Sequence, residues 1–127
     1  MIKASAANKD FYKGKRVFVT GHTGFKGAWL VQVLDHLGAC VRGYALEPVC
    51  GCLFTKIGGE RLVEHVTGDV RDKDALIAAV KSFAPEIILH LAAVVTVQDC
   101  HNDPYRAFST NVMGTVNIQK RRGNVRA

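Results

Sequence analysis

From Lys15 to Thr20 the chain reads KRVFVT, a short apolar run rich in β-branched side chains that ends in a cluster of glycines. Such a run predicts a buried strand. Between Gly24 and Gly38 the period changes: Phe25, Ala28, Trp29, Val31, Leu34 and Leu37 recur at helical spacing, and Gly38 is placed to end the helix. The alternation then repeats. Cys40 to Leu46 predicts a second strand stopped by Pro48, and Val63 to Thr67 a third. Between them, Glu47 to Glu60 holds Pro48, Gly51 and the Gly58-Gly59 pair without a usable period, so it reads as a loop with about one turn of helix.

Lys73 to Phe83 sets Ala75, Leu76, Ala79, Val80 and Phe83 at helical spacing, and Ala84-Pro85 closes that helix. Glu86 to Leu91 predicts a fourth strand. Asp103-Pro104 carries the N-cap and first-turn signature of a helix running through Phe108 and Val112 toward Ile118. Strands alternating with helices predict an α/β fold, and right-handed crossovers make it a doubly wound parallel sheet of about four strands in the order 3-2-1-4. The domain organisation expected is an N-terminal extension at 1–14, an α/β domain at 15–118 and a basic tail at 119–127.

Composition adds three exclusions. The chain has 127 residues, 48% apolar and 22% charged, with a net charge of +6. That charge lies at the ends: residues 1–16 and 120–127 each carry +4, while the body carries −2. A nucleic-acid-binding face needs basic residues spread over a folded surface beside its readers, so no nucleic-acid partner is expected. Neither an apolar run long enough to span a bilayer nor a signal-peptide core is present, so a cytoplasmic chain with no membrane association is expected. Cys40, Cys50, Cys52 and Cys100 lack the paired spacing of a structural zinc site and read as reduced thiols; no metal is expected.

The chemistry is concentrated after the first strand, in Thr20-Gly21-His22-Thr23-Gly24-Phe25-Lys26-Gly27. Gly21 suits a tight turn, Gly24 lets backbone approach a pyrophosphate, and Gly27 lets the helix pack on the strand, whose neighbouring helix N-terminus offers free N–H groups to an anion. His22 and Lys26 are side chains within reach of phosphate or ribose; plain solvation is the equal alternative for both. Asp69 and Val70, in GDVRD, end the third strand, where a carboxylate can accept from an adenine amino group; the alternative there is an Asx turn or helix cap. Leu91, Ala92 and Ala93 end the fourth strand with small residues against which a cofactor can lie. Asn111, on the last helix, can hydrogen-bond the neighbouring strand's backbone. With Thr23 and Phe25, these are the candidate cofactor-binding residues, on a sheet of the Rossmann type.

Taken together, TGHTGFKG, GDVRD, HLAA and NVMGT resemble the pattern of the extended short-chain dehydrogenase/reductase family, the NAD-dependent epimerases and dehydratases. More narrowly, KRVFVTGHTGFKGAWL, GYALEP and DPYRAFSTNVMGTVNI are similar to the N-terminal part of the CDP-glucose 4,6-dehydratase branch, from about Phe11 to Ile118. The resemblance implies NAD as cofactor, a nucleotide-sugar substrate, a homodimer, and an internal redox dehydration to a 4-keto-6-deoxy sugar. The acid expected to bind ribose falls near Ala45, with Glu47 two residues beyond as its substitute, which favours NAD over NADP.

The chain also departs from that pattern. The family's catalytic Tyr-x-x-x-Lys is absent, since Tyr12, Tyr44 and Tyr105 are followed four positions later by Arg16, Pro48 and Ser109. No catalytic residue is therefore assigned, and this chain alone is expected to be inactive. Val94 to His101 lacks the usual sequence after HLAA, and QKRRGNVRA replaces apolar residues that should finish the last helix. That tail reads as a frameshifted or prematurely ended frame, with a native basic tail as the alternative. Two other functions stand beside the first: a portion of another epimerase or reductase of the family, or a non-catalytic dinucleotide-binding module.

Overall fold

The computed structural model describes residues 10–120; positions 1–9 of the expected extension and 121–127 of the expected tail lie outside the described residues. Strands β1 (Arg16–Thr20), β2 (Cys40–Ala45), β3 (Glu64–Thr67) and β4 (Ile87–His90) form one parallel sheet in the order β3-β2-β1-β4. This is the doubly wound order expected from the crossover rule. The helices are α1 (Phe25–His36), α2 (Leu53–Lys56), α3 (Lys73–Phe83), α4 (Val97–Asn102), α5 (Pro104–Phe108) and α6 (Gly114–Lys120). A single 3-10 turn spans Gly59–Arg61, and Ser109–Met113 is π-helical.

β1 is the axis of the molecule. Val17, Phe18, Val19 and Thr20 are all fully buried, as befits a central parallel strand covered on both faces. Its period of two divides the core. Val17 and Val19 pack with Ala28, Val31 and Leu34 of α1 and Phe54 of α2, whereas Phe18 joins Tyr44, Leu76 and Val80 of α3, and Ile118 of α6. Each helix thus buries its apolar stripe on the face where β1 offers the matching side chains.

The helix starts are unequal. Asp72 Oδ1 accepts from Ala75 N at 3.1 Å to cap α3, and Asp103 Oδ1 accepts from Arg106 N at 2.9 Å to cap α5, with Pro104 in the first turn. α1 begins at Gly24 with no side-chain cap. Its first amides are left for something else to satisfy.

Two elements depart from the sequence expectations. The helix foreseen from Asp103 to Ile118 is interrupted by the π-helical turn, a local widening that re-aims the side chains around it. α4 departs from expectation, although its signal is in the chain: Thr96 Oγ1 accepts from Asp99 N at 3.0 Å as an N-cap, and its hydroxyl donates to the Asp99 carboxylate. Within the expected extension, Tyr12 packs against the α1 side of the core and Gly14 N–H donates to Gly38 O at 2.8 Å. Residues 12–14 are therefore joined to the domain.

Candidate dinucleotide-binding cleft

A cleft of about 780 Å³ opens at the carboxyl ends of the strands. Its place follows from the topology. The chain leaves β1 toward β2 on one side while β4 lies on the other, so the loops diverge and open a crevice between them.

The β1–α1 loop forms one wall. Gly21 has φ +74 and donates its N–H to Tyr44 O at 2.9 Å; a Cβ there would lie 2.7 Å from Ala92 N, too close for any other residue. A Cβ on Gly27 would run into Gly21 O and His22 Cα. Gly24 lies exposed in the cleft at the uncapped start of α1. The loop is a backbone cradle with no room for a side chain at Gly21 or Gly27, and the uncapped amides at the start of α1 suit a diphosphate. These residues fit the dinucleotide that the sequence implies. Thr23, Phe25 and Lys26 also line the cleft, with Lys26 exposed beside Gly24.

A partly buried polar network joins the end of β1 to the segment after β4. Thr20 Oγ1 accepts from Leu91 N at 3.1 Å and Ala92 N at 3.2 Å, which fills its lone pairs, so its proton goes to His90 Nδ1 at 2.6 Å. His90 Nε2–H then donates to Thr115 Oγ1 at 3.2 Å, and Thr115 donates to Asn111 O at 2.6 Å. Burial lowers the His90 pKa and keeps the ring neutral, as this arrangement requires. Leu91, Ala92 and Ala93 are thereby held as a floor of the cleft. Asn111 does not line it. Its amide pairs with both backbone groups of Val94, accepting from N at 2.7 Å and donating to O at 2.9 Å, and so shapes the wall at second hand.

On the far wall stand Glu47, Asp69 and Val70. Asp69 is engaged by a neighbour: Arg71 donates its backbone N–H to Oδ1 at 2.9 Å and its guanidinium to Oδ2 at 2.9 and 2.6 Å. The guanidinium holds the carboxyl below the usual carboxylate range. Glu47 Oε1 accepts from Thr67 Oγ1 at 2.7 Å.

His22 is the correction. Expected within reach of a phosphate, its side chain is instead fully buried beneath β2 and absent from the cleft lining. It packs edge-on to Phe54 and bonds His65 Nδ1 through Nε2 at 2.7 Å. The cause is Gly43, where a Cβ would collide with the imidazole; the missing side chain on β2 makes the space. Burial, then the neighbouring His65, lowers the His22 pKa to about 4. Conversely, Arg71 and Arg106 line the cleft and were not singled out from the sequence. Arg71 stands inside the GDVRD motif; Arg106 follows an N-cap signature, which marks a helix start but not which way the helix faces. Among the described residues no group of three His, Cys, Asp or Glu is placed to hold a metal, and no helix is long and apolar enough to cross a membrane.

A model of the NAD dependent epimerase/dehydratase family matches residues 17–121. The chain belongs to this family. NAD is the family's cofactor, and the cleft described above lies where the fold places it. Among relatives, a CDP-glucose 4,6-dehydratase of Salmonella typhimurium is 46% identical over 124 residues, covering 94% of this chain and 34% of that protein. Among solved structures, the epimerase Mth375 of Methanothermobacter thermautotrophicus is similar with a TM-score of 0.77 at 27% identity, over 89% of this chain and 33% of that one. A Thermus thermophilus UDP-glucose 4-epimerase in complex with NAD gives 0.71 at 28%, over 84% and 33%. The chain spans about a third of the length of these family members.

Proposed function

We propose that this chain is the NAD-binding portion of a sugar-nucleotide 4,6-dehydratase acting on CDP-glucose. The glycine cradle at the uncapped start of α1 carries the reading, and the 46% identity to a CDP-glucose 4,6-dehydratase supports the choice of substrate. Gly21, Gly24 and Gly27 bring backbone against the cofactor's diphosphate, with Lys26 adding positive charge at the same edge. Glu47 accepts from the adenosine ribose, and Asp69, steadied by Arg71, faces the adenine. Leu91, Ala92 and Ala93 form the surface on which the nicotinamide half rests. NAD bound there supplies a hydride acceptor at C4 of the hexose and a donor at C6, with water lost between the two transfers. The tyrosine and lysine that move protons in the family are absent from this chain, so the chain alone binds cofactor without turnover. A cytoplasmic location and a homodimer belong to the same reading.

The test is a calorimetric titration of the chain with NAD, run beside an assay for a 4-keto-6-deoxy product from CDP-glucose. Saturable NAD binding without product is the expected result; formation of product by the chain alone would refute its inactivity. A second reading, a portion of a sugar-nucleotide 4-epimerase, is favoured by the epimerases among the structural neighbours. The substrate-binding remainder of the enzyme separates the two.

A further inference from the structure

Glu47 stands at the end of a hydrogen-bonded line that begins in the glycine loop. His22 Nε2 lies 2.7 Å from His65 Nδ1, His65 Nε2 lies 3.2 Å from Thr67 Oγ1, and Thr67 Oγ1 lies 2.7 Å from Glu47 Oε1. The direction of every proton follows from the last member. A carboxylate only accepts, so the Thr67 hydroxyl donates to Glu47 and must accept from His65 Nε2–H. A neutral His65 then has a bare Nδ1, which accepts from His22 Nε2–H. His22 Nδ1 is left as a lone pair, and it is the buried nitrogen of the pair without a partner. An unpaired lone pair is the less costly of the two ways to end such a line, because a buried orphan N–H is rarer and dearer.

We propose that His65 and Thr67 are positioning residues for Glu47, holding Oε1 so that the other carboxylate oxygen accepts from the ribose 2′-hydroxyl of NAD and opposes the 2′-phosphate of NADP. This rests on the reading of Glu47 given above. Thr67 and Glu47 are exposed, so without the line the carboxylate would be free to turn into water. His22 is fully buried in the loop that forms the cradle, and its ring is trapped by Gly43 and Phe54, so it supplies the fixed end. The device therefore ties two walls of the cleft together: the cradle for the diphosphate and the acid for the ribose.

The first measurement needs no variant. Long-range proton–nitrogen correlation spectra of the histidine-labelled chain distinguish the two ring tautomers, and both His22 and His65 are expected as Nε2–H. A His65 protonated at Nδ1 overturns the proposal. The second is titration with NAD and NADP. Thr67→Val, which keeps the β-branched shape and loses the hydroxyl, is expected to weaken NAD binding about fivefold and to strengthen NADP binding, because the carboxylate can turn away from the 2′-phosphate; Thr67→Ser, which keeps the hydroxyl, is expected to bind both as the parent. If Glu47→Ala weakens NAD binding and Thr67→Val does not, the positioning role is wrong and the role of Glu47 stands. If Glu47→Ala binds NAD as the parent does, the ribose reading itself fails and the proposal falls with it.

Discussion

On either side of β1 a histidine packs against the end of the strand, His22 fully buried and His90 partly so, and the two are treated differently. His90, on the β4 side, has both ring nitrogens paired, to Thr20 and Thr115, and every atom of that network has a partner. His22, on the β2 side, has one nitrogen paired with His65 and one with nothing. The paired network spans the sheet, the segment after β4 and the last helix, so it behaves as a brace for the cleft floor. The unpaired one ends in a pocket made by a missing side chain. A buried imidazole with an open lone pair resists protonation, since the added proton would bring a charge into apolar surroundings, and the fold loses stability where the unfolded chain takes up that proton first.

Acidification should break the comparison most strongly. The His22 pKa is lowered from an ordinary 6.5 to about 4, so the unfolded chain binds this proton first as pH falls. Stability is whole above about 6.5, declines through the window from there to about 4, and levels off below it. The loss is about 3 kcal/mol, with His90 adding to it in the same direction. Urea unfolding at pH 7 and pH 4.5 measures it, and the steeper part of the decline should vanish in His22→Leu; an unchanged slope would show that burial of His22 is not its cause.

Next in size is Thr20→Val on the braced side. It keeps the strand shape while stripping His90 Nδ1 and Ala92 N of a partner, at a cost of about 2 kcal/mol in unfolding free energy. NAD binding should weaken as well, because the floor loses its tie to β1. The smallest effect is expected from Thr115→Val, about 1 kcal/mol, since it removes only the far end of the same line. A larger cost at Thr115 than at Thr20 would mean that the brace is anchored in the last helix instead of in the sheet.

The contrast also marks where sequence reasoning stops. The brace was half legible: HLAA and NVMGT are visible as motifs, and Asn111 was expected to bond backbone, which it does at Val94. Thr20 is legible as the end of a strand and the head of the glycine motif, but nothing local shows that its hydroxyl will meet a histidine 70 positions away. His22 turns inward for the reciprocal reason. Its neighbours in the chain are cleft residues, and only the absence of a side chain at Gly43 turns it inward. α4 differs again: a threonine three positions before Asp99 is an N-cap spacing present in the sequence, but Val97 to Asn102 carries no apolar helical period beside it.

What the amino-acid sequence determined by itself is the succession of strands and helices, the order of the sheet and the place of the glycine cradle. Those depend on local periodicity, turn geometry and the handedness of crossovers, all of which act over a few residues or follow from chirality. Tertiary structure alone decided which polar side chains face the cleft and which are buried behind it. Asp69 meets Arg71 and Glu47 meets Thr67, while His22 meets His65 across β2. The physical reason is that a side chain's direction is settled by the space and partners offered by strands distant in sequence, and a buried polar atom goes wherever a partner can be found.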